Sequence, residues 1–152
     1  VYAALIHDPT RNAGQSYDGK GLDLDAFVDA LRAALSEAPG RTLVVSSADL
    51  SHVGPMFGDQ INLVEESVER KQFLKNMEET DRRLTTLLRT GKVDEMIASL
   101  AWEQNATRWC SAGNLSAMMR ATGAEELKIV NWVAARDSQG AGIVSSIAAY
   151  AP

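Results

Sequence analysis

Leu43-Val44-Val45-Ser46-Ser47-Ala48-Asp49-Leu50-Ser51-His52-Val53-Gly54-Pro55 is the stretch whose reading decides the fold of this chain. Its apolar opening, entered just after Pro39-Gly40, predicts a buried strand. The strand passes into a polar turn carrying Asp49 and His52, the latter one of two histidines in the sequence. Gly54-Pro55 and Gly58 then block any helix. In open α/β sheets, ligands and catalytic groups gather where strands end at their carboxyl edge. Position alone therefore makes Asp49 and His52 candidate site residues.

Upstream, Val1-Tyr2-Ala3-Ala4-Leu5-Ile6 predicts a first strand, stopped by Pro9. A polar, glycine-rich loop from Arg11 to Gly21 follows, long for a compact domain. It has no phosphate-cradling spacing and reads as a flexible loop or a partial lid. Asp23 or Asp25 caps a helix whose apolar positions Phe27, Leu31 and Leu35 recur every four residues. Strand, helix and strand with short connections predict a parallel, right-handed βαβ unit. That unit would bring His7-Asp8 and Asp49-His52 to one edge of the sheet.

Downstream, Ile61 to about Thr90 carries a helical stripe of Ile61, Val64, Val68, Leu74, Met77, Leu84, Leu87 and Leu88. Asp81 falls on the buried side of that stripe, where a carboxylate needs a partner; it is either a buried partner for a pocket residue or, the favoured reading, a stripe-edge residue reaching solvent. Gly91 ends this helix, Val93 to Leu100 makes a shorter one, and Thr107 to Ala121 holds a third. Leu127 to Ala135 and Ile143 to Tyr150 read as two strands closing on each other through Arg136-Asp137-Ser138-Gln139-Gly140. Trp102, Trp109 and Trp132 read as core. The fold class is α/β, one domain over residues 1–152, with helices packed on a mixed β-sheet of about four strands.

Hydrophobic content of 45% and charged content of 23% are those of a globular domain. No apolar run approaches the roughly 18 residues of a membrane span. A net charge of −5 argues against nucleic acid, since no basic face is present to displace phosphate counterions. Arg70-Lys71 and Arg82-Arg83 lie among glutamates and read as a solvated helix face. The single cysteine, Cys110, cannot form an intrachain disulfide, which points to a reducing cytoplasm. The chain opens in mid-strand with no initiator methionine and no signal peptide, so a piece of a longer protein is expected.

Three segments together resemble one family. Ser47-Ala48-Asp49-Leu50-Ser51-His52-Val53-Gly54 is similar to its Ser-Ser-Asp-Leu-Ser-His-Tyr-Gly signature. Asn105-Ala106-Thr107-Arg108-Trp109-Cys110 resembles its Asn-x-Thr-x-Cys-Gly segment. Asn131-Trp132 and Val144-Ser145-Ser146-Ile147-Ala148-Ala149-Tyr150 resemble its closing strands. The family is the Memo-like proteins, also called AmmeMemoRadiSam system protein B, whose fold is similar to the class III extradiol dioxygenases. The resemblance implies half of an extradiol-dioxygenase-like core, with this chain as the carboxyl-terminal part. It implies a pocket holding iron or copper in the full-length protein, with Cys110 a ligand and His52 in the same pocket. In this fragment binding would be weak or absent, because two protein ligands seldom suffice. The family's glycine after the cysteine is Ser111 here, which bears on the helix start behind the thiol.

Each site residue has a competing structural reading. His52 is a general acid/base and metal neighbour, or a turn histidine bonded to nearby backbone. Asp49 orients His52 or binds metal, or closes an Asx-turn. Cys110 is a thiolate ligand or nucleophile at a helix start, or a buried small hydrophobe. His7 with His52 and Asp49 has the composition of a two-histidine, one-carboxylate iron site, though strand ends carry histidine by chance. The leading function is a metal-pocket protein acting as a non-haem oxidoreductase on a small molecule. A non-catalytic binding or scaffold module and a cysteine-based hydrolase compete with it. With half the sheet absent, an exposed edge is expected to pair with a second copy or with the missing amino-terminal half.

Overall fold

The computed structural model describes residues 2–16 and 18–152. Its main elements are α1 (Leu24–Glu37), β1 (Asp49–Val53), α2 (Val68–Arg89), α3 (Val93–Trp102), α4 (Ala112–Thr122), β2 (Lys128–Arg136) and β3 (Ile143–Tyr150). The strands form one sheet in the order β1-β3-β2, and both pairs run antiparallel. The expected hairpin is the β2–β3 pair, turned by Asp137, whose carboxylate accepts from the Gln139 and Ala141 amides. Among the described residues no helix is long and apolar enough to cross a membrane.

The expected architecture of helices packed on a small sheet is present, but the two upstream strands are not where their composition put them. Residues 43–48 form no strand, and the segment read as a polar turn is itself the strand β1. Leu43 and Val45 are 85% and 78% exposed. A strand needs a partner, and a groove of about 880 Å³ lies between residues 42–46 and the end of β3. Residues 2–8 form no strand either, and Tyr2 and Leu5 are fully exposed; Val1 of that expected strand lies outside the described residues. The parallel βαβ pair that would make the sheet mixed is therefore not formed among the described residues.

Helix boundaries follow capping. Asp23 accepts from the Ala26 amide at 2.8 Å and starts α1. Ser67 does the same for Arg70 at 3.0 Å and starts α2. The expected helix from Ile61 thus begins seven residues late: Asn62 bonds the Val64 and Glu65 amides in an Asx-turn. Trp109 is fully buried, whereas Trp102 is 89% exposed. Val93, Met96 and Leu100 make the buried stripe of α3, and a residue two places after Leu100 is off that stripe.

The main core joins Leu50 of β1 to Leu84 and Leu88 of α2, Met96 and Leu100 of α3, and Leu115 and Met119 of α4. Helix α1 packs separately on α4, with Leu24 and Val28 against Ala117 and Ala121. Asp81 does not reach solvent as its stripe-edge reading required; it is fully buried at the centre of α2. One carboxylate oxygen accepts from Ser51 Oγ at 2.6 Å and Trp109 Nε1 at 2.7 Å. The other accepts from Trp132 Nε1 at 3.0 Å and from Ser145 Oγ. Four donors fill the acceptor capacity of a carboxylate.

Two outcomes follow for stability. Leu43→Ser and Val45→Ser, in a segment its composition marks as core, are expected to change unfolding free energy by less than about 0.5 kcal/mol. Asp81→Leu strands two indole N–H groups, each costing about 1–3 kcal/mol when unpaired, and is expected to cost about 3 kcal/mol or more. Urea denaturation of the three variants checks both.

Candidate functional site

Residues three apart on a regular strand face opposite sides of the sheet. Asp49 and His52 escape that rule because β1 carries a bulge. Asp49 pairs with Ser146 and His52 with Val144, so three steps on β1 match two on β3. Leu50 and Ser51 are consequently both buried in succession, and Asp49 and His52 emerge on one face. The Asx-turn reading of Asp49 is not realised, since the Ser51 amide donates to Ser145 Oγ at 3.0 Å.

Cys110 reaches that face from the connection between α3 and α4, one residue before the α4 N-cap, Ser111. It is exposed, which removes the buried-hydrophobe reading. Its Sγ lies 3.8 Å from the Asp49 carbonyl oxygen. Ser111 is buried and donates its hydroxyl to that same carbonyl. Its φ of −92° is open to any residue, so the serine adds a tie to β1 without backbone strain.

One ligand-capable atom each from Asp49, His52 and Cys110 lies within 4.8 Å of the others. Among the described residues no other such group of three is formed, and His7 is not in it. His7 instead sets its Nε2 2.6 Å from the Gly14 carbonyl oxygen. Its own carbonyl lies where a Cβ at Gly113 would sit, 2.2 Å away, so the start of α4 requires glycine there. The Arg11–Gly21 loop contributes nothing to the cluster; Tyr17 of that loop lies outside the described residues.

His52 is oriented by backbone. Its Nδ1 lies 3.1 Å from the Leu50 carbonyl oxygen; a carbonyl only accepts, so Nδ1 carries the proton and the Nε2 lone pair is left for other work. The backbone bond of the turn-histidine reading is thus present, and it leaves Nε2 on the open side of the ring. Phe57 meets the ring edge-on, with centroids 5.4 Å apart and planes at 86°. Gly54 makes this close turn possible: its φ is +117°, and a Cβ there would come within 2.9 Å of the Gly142 Cα.

Sequence reasoning missed the residues that fasten the thiol-bearing connection to β1. The His52 amide donates to the Thr107 carbonyl at 2.7 Å. Arg108 Nη1 donates to the His52 carbonyl at 2.9 Å, and the guanidinium grips Asp59 at 2.6 and 3.1 Å. Asp59 also accepts from the Gly54 amide at 2.7 Å. No local pattern marks Asp59, which reads as an ordinary turn residue after Gly58. Burial pushes its carboxyl pKa up, but the Arg108 hydrogen bonds, the Gly54 amide and the Arg108 charge outweigh that and hold it below the usual carboxylate range.

Comparison with protein-family models matches residues 10–152 to the family described as Memo-like protein. The chain belongs to that family. Comparisons with curated proteins and with solved structures gave no match.

The Asp59 environment fixes the sign of an acid effect. A carboxyl held lower in the folded than in the unfolded state adds stability above its unfolded value, about 3.9. That contribution disappears as pH falls through the folded value. Asp59→Asn is therefore expected to destabilise at pH 7, and the gap to wild type to shrink progressively below about pH 4. Denaturation curves of both proteins across that range check it.

Proposed function

We propose that this Memo-like chain holds a first-row transition ion on Asp49, His52 and Cys110 and serves a metal-dependent reaction on a small molecule. The observation that carries the reading is the convergence of three different donors within 4.8 Å. Metal–ligand bonds of roughly 2.0–2.3 Å limit two ligands of one ion to about 4.6 Å apart. Side-chain adjustments of tenths of an ångström therefore suffice. Carboxylate, imidazole and thiolate together suit zinc, iron or copper and disfavour magnesium and calcium. The Nδ1 bond to Leu50 leaves Nε2 as the nitrogen that can ligate or take a proton.

A bound ion would supply Lewis-acid or redox chemistry. The chain's residues bind it, with Asp49 and Cys110 exposed on the face a substrate would approach. The narrower reading is a non-haem oxidoreductase using iron or copper on an extradiol-dioxygenase-like core, in a reducing cytoplasm that keeps Cys110 a thiol. Its support is the family resemblance. Cysteine-based hydrolysis is a second reading, favoured by an exposed thiol beside an imidazole whose Nε2 is free to act as base. The exposed Leu43, Val45, Tyr2 and Leu5 support pairing with a second copy or with another part of a longer chain.

Cobalt(II) titration followed by its thiolate charge-transfer absorption, with metal analysis, tests the leading reading. Wild type is expected to bind one ion. Cys110→Ala should lose the charge-transfer band, and His52→Ala should bind at least 10-fold more weakly. Unchanged metal content in Cys110→Ala would sink the ligand assignment. Rapid, His52-dependent alkylation of Cys110 without any metal uptake would favour the hydrolase, and neither property would leave a binding or scaffold module.

A further inference from the structure

Gln104, Asn105 and Arg108 all have left-handed backbone, with φ of 54°, 48° and 58°. Asparagine tolerates that region, but glutamine and arginine rarely adopt it, and such residues persist only where surrounding contacts over-determine them. The contacts are present. The Asn105 carboxamide grips both backbone groups of Trp109, accepting from its amide at 2.7 Å and donating to its carbonyl at 3.0 Å. Arg108 is half-buried, and its fork is spent on Asp59 and on the His52 carbonyl.

These bonds form one continuous brace. β1 is an edge strand, and its outer side is met by residues 107–108 instead of by another strand. Both backbone groups of His52 are held by the connection that, two residues later, presents Cys110. Asp59 in turn fixes Gly54, two residues beyond His52 on the other side. The Arg108 side chain is thus one of the ties between the two segments, and its bonds go to the His52 carbonyl and to Asp59, not to the imidazole or the thiol.

We propose that Arg108 is a positioning residue for the Asp49–His52–Cys110 site, holding the thiol-bearing connection in register with β1 so that the donors converge. The inference rests on the metal-site reading above. Arg108→Gly removes the fork and also relieves the left-handed backbone, so stability lost with one is partly regained with the other. Arg108→Lys keeps the charge but cannot reach the carbonyl and both carboxylate oxygens at once. Asp59→Asn weakens the brace from its far end without touching the connection.

Cobalt(II) affinity and absorption spectrum, melting temperature, and amide exchange at His52 are measured on wild type and the three variants. Loss of a partner that orients a ligand typically weakens metal binding 10–100-fold. That range is expected for Arg108→Gly and Arg108→Lys, with a shifted thiolate-to-cobalt band, and a smaller loss in the same direction for Asp59→Asn. Such changes in a variant whose melting temperature stays near wild type separate positioning from general stability. Wild-type affinity and an unshifted band in Arg108→Gly would overturn the proposal. If wild type takes up no cobalt, the metal reading fails, and exchange at the His52 amide decides this one. At least 10-fold faster exchange in Arg108→Gly than in wild type, with β3 unchanged, supports the brace, and equal protection overturns it.

Discussion

The buried carboxylate of Asp81 is the constraint on which the rest of the structure depends. From the middle of α2 it accepts from β1 through Ser51, from the α3–α4 connection through Trp109, from β2 through Trp132 and from β3 through Ser145. A carboxylate sealed from water is costly unless each lone pair is met, and in low dielectric each bond that meets one is strengthened. The two indoles donate and cannot accept, and the acceptor each of them meets is this carboxylate. One side chain thus sets the positions of all three strands and of the segment leading into α4.

The bulge in β1 follows from that constraint. Ser51 is pulled inward because its hydroxyl is needed by Asp81, while its amide is taken by the Ser145 hydroxyl. Leu50, its neighbour, is committed to the main core. Two successive inward residues cannot be accommodated in a regular pleat, so the strand gains a residue against β3. The consequence outside the core is that Asp49 and His52 share a face. The shared face is in this sense a by-product of how the interior is satisfied.

Parts of this were legible in the sequence and parts were not, for physical reasons. The β2–β3 hairpin was readable because two apolar runs bracket a turn built on Asp137. The start of α1 was readable because its cap is local: Asp23 bonds a residue three places on. The candidates Asp49, His52 and Cys110, which the structure brings together, were readable from a polar cluster at a strand end and from resemblance to a family. The extent of β1 was not, since its bulge erases the alternation that announces a strand, and the more apolar residues 43–45 imitate one. Asp81 was visible as a problem but not as a solution, because its four donors come from residues 51, 109, 132 and 145, and no local pattern connects them. Arg108 and Asp59 share that limit: their pairing spans 49 positions.

The segment Ser47 to Gly54 therefore divides its work by the face each residue occupies. Leu50 and Ser51 point inward and answer to Asp81 and the core; Asp49 and His52 point outward and answer to Cys110. Gly54 ends the strand in a conformation that lets Asp59 and Phe57 close around His52. A histidine and an aspartate alone in a turn could serve many purposes. The same pair, thrown onto one face by a bulge that the core enforces and faced by a thiol fastened to the same strand, has far fewer. The case for chemistry at this surface thus rests on the interior as much as on the three exposed donors, because only the interior explains why they meet.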